Sequence, residues 1–171
     1  LDYNPEKLKK LSYSEILKEG KKFEEKIENF QYEIIQKKNF EREKIKRYKS
    51  VISKLKIIRE AQIKYYNKFG KYTKNKSELL KYTQGENIDL FKVPYTEKEF
   101  EIDTSTVEKV KGLIIPVFIV KTDKESILNG LNSKLIEREK EAISSDEVKG
   151  EFLSVGSLEN VLTSGNWPDK Y

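Results

Sequence analysis

Residues 13–69 read YSEILKEGKKFEEKIENFQYEIIQKKNFEREKIKRYKSVISKLKIIREAQIKYYNKF, and this stretch decides the fold. It holds no proline and a single glycine, Gly20, and is otherwise rich in Lys, Glu, Ile, Gln and Arg, which helices accept readily. Ser14 stands where an N-cap is expected, and Gly70 follows Phe69 where the chain needs a left-handed residue to leave a helix. One continuous helix over this span would be about 85 Å long at about 1.5 Å per residue. The alternative is a hairpin broken near Asn39. Lys37-Lys38-Asn39 carries no turn signal, so continuity is the reading adopted.

Apolar residues divide this helix into two seams. Phe23, Ile27, Phe30 and Ile34 step by four, three and four, as a heptad seam does. Ile45, Tyr48, Ile52 and Leu55 form a second, continued on nearby faces by Ile58, Tyr65 and Phe69. Between them, Gln36 to Lys44 has only Phe40 as apolar content. The second seam is expected to pack on a head and the first on a partner helix, because one small head lacks the apolar surface to cover both. Residues 1–44 are thus read as an extended helical docking segment. Residues 45–171 are read as the head, including the proximal half of the helix.

Downstream, punctuation is denser. Ser77 is expected to cap a short helix, Glu78–Tyr82, closed by Gln84-Gly85-Glu86-Asn87. Glu99–Asp103 alternates as a half-exposed strand does, and Leu113–Val120 is the most apolar run in the chain. The two should pair as an antiparallel hairpin, with Pro116 at a bulge or an unpaired edge. Thr122 or Asp123 is expected to cap an amphipathic helix over Lys124–Ile143, with Ile127, Leu128, Leu131, Leu135, Ile136 and Ala142 inward and a break near Asn129-Gly130. Phe152–Val155 then adds a strand. Trp167, the only tryptophan, is read as folding back on the core, with a docking anchor as the alternative. The fold class is therefore α+β: a long N-terminal helix packed on a small head with an antiparallel sheet and one or two further helices.

Composition narrows the chemistry. Of 171 residues, 36% are hydrophobic and 37% charged, thin in apolar material for a single globule of this length. With no Cys and no His, there is no thiolate nucleophile, no thiolate or imidazole metal site and no imidazole base. Carboxylate chemistry remains, but Asp2, Asp89, Asp103, Asp123, Asp146 and Asp169 are scattered. No phosphate loop, nucleophile elbow or zinc or calcium spacing occurs, so neither an enzyme nor a cofactor or metal site is expected. No apolar run is long enough to span a bilayer. Leu1 is not an initiator methionine, so a leader or anchor ahead of it is an open expectation.

Residues 1–70 hold 19 Lys/Arg against 11 Asp/Glu, a net of +8 in a chain of net +5. Such a basic rod is one that nucleic acid or an anionic surface would attract. Lys and Glu alternate closely, however, and a solvated helix laced with ion pairs is the preferred reading.

Two resemblances add to this. Leu55–Tyr66 followed by Phe69-Gly70-Lys71-Tyr72-Thr73 resembles the helix-to-loop passage of type IV pilins and pseudopilins, where a long helix enters a small β head. More broadly, five blocks are similar to an uncharacterised family of membrane-anchored Bacteroidota proteins. They are Arg59-Glu60-Ala61-Gln62, Val93-Pro94-Tyr95-Thr96 with Glu99-Phe100-Glu101, Ile115-Pro116-Val117-Phe118, Val155-Gly156-Ser157-Leu158 and Gly165-Asn166-Trp167. That family carries a hydrophobic anchor ahead of its long helix, whereas residues 13–44 here are strongly charged. Either the anchor precedes Leu1, or a docking helix has replaced it, as in a virion protein of a phage infecting such bacteria.

The function expected is a non-enzymatic structural or assembly subunit, docking through its helix into a cell-envelope apparatus or a virion. Its partners would be other protein subunits, in a homo- or hetero-oligomer. The contact residues expected are Phe23, Ile27, Phe30, Ile34 and Trp167. The alternative is a protein that binds nucleic acid or an anionic surface through the basic helix.

Overall fold

The computed structural model describes residues 12–84 and 89–171. Helix α1 runs unbroken over Tyr13–Phe69, so there is no hairpin at Asn39. After it come α2 (Lys76–Leu80), β1 (Glu101–Val110), β2 (Leu113–Asp123), α3 (Lys124–Ile127), α4 (Ser133–Lys140) and β3 (Phe152–Gly156). The chain divides into two units, residues 1–39 and residues 40–171. In the first, the described residues are all helical beyond Ser12.

The start of α1 falls two residues before the position expected from Ser14. Ser12 is the cap: its carbonyl accepts from Ile16 N–H at 3.0 Å, and its own N–H donates to the Glu15 carboxylate at 2.7 Å. This is the reciprocal half of a Ser-x-x-Glu capping box. Gly70 leaves the helix at φ +67°, as its position predicts.

The head is a three-stranded antiparallel sheet in the order β1-β2-β3. β1 and β2 run from Glu101↔Lys121 to Val110↔Leu113, joined by the tight turn Lys111-Gly112. The strands are longer than the alternation suggested. β3 covers only Ile119–Asp123 of β2, so Pro116, opposite Thr106, has a partner strand on one side only, where a residue without an N–H is tolerated.

α2 begins two residues before Glu78 because Asn75, not Ser77, is its cap, its side chain accepting from Glu78 N–H at 3.2 Å. Of the closing turn expected at Gln84-Gly85-Glu86-Asn87, all but Gln84 lies outside the described residues. Asp123 caps α3, accepting from Ser126 N–H at 2.7 Å, and Asn132 caps α4. Gly130 at φ +83° makes the break between them that the sequence allowed.

The core lies between the Phe40–Tyr65 stretch of α1 and the sheet. Tyr48, Val51, Ile52, Leu55 and Ile58 meet Phe118, Val120, Leu153 and Val155, with Ile127, Leu128 and Ile136 also in the cluster. Leu79, Phe91, Val93 and Phe100 complete it from the connecting segment.

Candidate docking surface and a buried charged cluster

All four expected seam residues of α1 are solvent-exposed: Phe23 48%, Ile27 42%, Phe30 65% and Ile34 38%. Tyr13 and Ile16 are helical and exposed too, and counting back from Phe23 by heptads reaches Gly20, Ile16 and Tyr13. The stripe is therefore three heptads long, with alternating steps of three and four throughout. Two large apolar neighbours, Leu17 and Ile35, flank it. Scattered exposed apolar residues are ordinary, whereas these recur at every heptad position of the stretch except Gly20. Gly20 interrupts the stripe, and among the described residues nothing calls for a glycine there: a Cβ would meet nothing within 4 Å. In an exposed helix interior that glycine costs about 1 kcal/mol relative to alanine.

Counting on from Ile34 in the same register gives Lys37, Glu41, Lys44, Tyr48, Val51, Leu55, Ile58, Gln62 and Tyr65. From Lys44 onward every one of these is buried. The second seam as first read is thus corrected by one position. Ile45 is 37% exposed and Lys44 takes the inward place at 1%. A lysine is tolerated there because carboxylates surround it. Its Nζ lies 2.9 Å from Glu41, 3.1 Å from Glu139 and 3.2 Å from Glu147. Tyr48 O–H donates to the other Glu139 oxygen at 3.2 Å. Lys124 is fully buried, donating to the Glu139 and Val148 carbonyls at 2.6 Å, with the Glu139 carboxylate 3.5 Å away.

Helix α4 delivers Glu139, the segment after it delivers Glu147 and Val148, and α3 delivers Lys124. The cluster thus ties three consecutive pieces of the head to α1. No local motif marks it, since Lys44 and Glu139 are far apart in sequence. The one signal that finds Lys44 is the heptad register carried through the polar waist.

Burial presses the Lys44 ammonium toward neutrality, but Glu41 and Glu139 outweigh it and hold its pKa above the ordinary value. For Lys124 burial prevails over Glu139, and the pKa is lowered. The two differ because Lys124 gives its short hydrogen bonds to neutral carbonyls. Burial, then Glu139, pushes the Tyr48 phenol up. Burial also pushes Tyr171, whose ring lies 5.6 Å from that of Tyr48, up to about 12.

The sign for stability follows directly. Lys44, Tyr48 and Tyr171 hold their protons more tightly folded than unfolded. Their contribution is whole below about pH 10, the unfolded tyrosine value, and is lost as pH rises through the folded values. Lys124, whose pKa is lowered, acts in the opposite sense, but only up to its unfolded value of about 10.4. The denaturant midpoint of the head is therefore expected to fall between pH 10 and 12. In Tyr48→Phe the fall should be shallower, and an unchanged slope in that variant would contradict the assignment.

No family model, no curated protein and no solved structure matches this chain.

The cations of the buried cluster are paired with carboxylates and carbonyls, and a surface hollow bounded by Asp89, Phe91, Lys92, Glu97 and Glu99 shares no residue with it. No group of three residues able to hold a metal ion occurs among the described residues. No described helix is long and apolar enough to cross a membrane.

Trp167 is partly buried and packs against the core. Asn166 straps it there: its side chain accepts from Ser154 N–H at 3.0 Å and donates to the Phe152 carbonyl at 2.7 Å. Gly165 lies so close to the indole that any Cβ would collide with the ring. Of the five expected contact residues, the four on α1 are thus the openly exposed ones.

Proposed function

We propose that this protein is a non-enzymatic assembly subunit whose α1 docks on another protein helix through the Tyr13–Ile34 stripe. One observation carries the reading: seven heptad positions in succession hold apolar residues or glycine, and every large one among them is exposed. The head needs no help from this stripe, since its buried cluster begins only at Phe40. A three-heptad seam is short for a stable coiled coil, so the pairing is weak in isolation and is reinforced within a larger assembly. The resemblances to pilin-like and membrane-anchored envelope proteins favour a cell-envelope apparatus or a virion as its setting.

Light scattering on the full chain, followed by its use as bait, tests this. The expected result is a mass above 20.1 kDa or a retained partner, with both lost in Phe23→Glu/Phe30→Glu. A 20.1 kDa monomer that retains nothing would sink the proposal.

A further inference from the structure

The docking reading leaves the partner open, and the residues in and beside the stripe favour one. We propose that the helix seated on it is that of a second copy of this chain, running antiparallel, with Phe23 of each copy over Gly20 of the other. The inference rests on the docking reading and adds the occupant, its direction and its register.

Antiparallel pairing sets each first heptad position against a fourth position of the other helix. In one register the layers are Tyr13 with Phe30, Ile16 with Ile27, and Gly20 with Phe23, then the same three reversed. All six of these layers are apolar, and Ile34, the last position of the stripe, lies beyond them. The largest side chain of the middle layers meets the one position with no side chain, and large-against-small pairing fills such a seam. The twofold axis falls between Lys21 and Lys22, so the contact is isologous and closes as a dimer. It also explains the glycine, whose open surroundings within the chain give it no other task.

Charge selects the same arrangement. The flanking positions in this register set Glu19 against Lys26, twice by symmetry. Glu19 already pairs with Lys22 of its own helix at 2.9 Å, so dimerisation exchanges or shares that contact. Parallel pairing in register would instead face Gly20 with Gly20, leaving a gap, and set Glu19 beside Glu24. The antiparallel register one heptad away would oppose Lys26 to Lys26 and Glu24 to Glu24. Like charges at these positions disfavour both.

Sedimentation equilibrium on the full chain and five variants tests the proposal. Helical content by circular dichroism confirms that each is folded. The wild type is expected to be a monomer–dimer mixture. Glu19→Lys and Lys26→Glu should each weaken the dimer about tenfold or more, because each converts two attractive contacts to repulsive ones. The double variant restores both contacts with their signs exchanged and should return to within about threefold of wild type. Gly20→Leu, which would strengthen an ordinary seam, should weaken this one. A wild type that stays monomeric overturns the proposal, and so does a Glu19→Lys variant that dimerises as well or better, which is the parallel outcome. A double variant that is not rescued overturns it too. Another chain found on the stripe in place of the second copy overturns self-pairing but leaves the docking reading standing. A dimer that survives Phe23→Glu removes the self-pairing proposal and withdraws its support from the docking reading.

Discussion

Lys44→Met is expected to lower the unfolding free energy of the head by about 3 kcal/mol, the lower end of what breaking a buried ion pair costs. The ammonium it removes sits within 3.2 Å of three carboxylates, and the Glu139 side chain is only 7% exposed. Methionine preserves most of the volume, so the loss is electrostatic: Glu139 stays buried with one of its two cations gone. Lys124, 3.5 Å away, keeps the figure from rising further. For a unit of this size the thermal midpoint should fall by roughly 10 °C. Glu41→Gln, at an exposed member of the same cluster, should change stability by less than about 1 kcal/mol. Lys44→Met/Glu139→Gln should cost less than the two single changes summed, because the second removes the charge that the first stranded. Additive costs would show that the two groups are not coupled.

Gly156→Ala should be comparably damaging for a different reason. Gly156 ends β3 at φ +80°, opposite Ile119 of β2. A Cβ there would run into the carbonyl oxygen of Phe118, and the Phe118 side chain is itself fully buried, so neither the strand nor the ring can yield. Left-handed strain of about 1–2 kcal/mol adds to overpacking of about 1–3 kcal/mol, for roughly 3 kcal/mol in all. Gly130→Ala separates the two contributions. That glycine has φ +83° but open space around it, so only the strain applies and about 1–2 kcal/mol is expected. Equal costs at the two positions would show that the close approach to Phe118 carries no weight.

Much of the fold was legible because its signals are local. Absence of breakers read out α1, strand alternation read out the hairpin but not that its first strand runs on through Thr104 to Val110, and Asp123 with Gly130 read out the divided helix. Caps were misplaced at Ser14 and Ser77 because several adjacent Ser and Asn residues could serve. What decides between them is which side chain reaches a free N–H, and that is a matter of geometry. The inward Lys44 was missed for a deeper reason. Hydrophobicity identified Ile45 as the core residue, but a charge can occupy a core position when Glu139 and Glu147, about a hundred residues away, are brought to it, and sequence distance conceals that. The exposed stripe was half seen: Phe23 to Ile34 stood out by their size, whereas Gly20 hid the continuation to Ile16 and Tyr13.

The most direct test of the account is hydrogen exchange on the full chain at high and low concentration, with Phe23→Glu/Phe30→Glu alongside. Amides of residues 13–34 should be protected at high concentration, lose that protection on dilution and never gain it in the variant. Amides of Val51–Ile58 should stay protected in every sample. Protection of residues 13–34 that ignores both dilution and the substitutions, or a variant that unprotects Val51–Ile58, would contradict it.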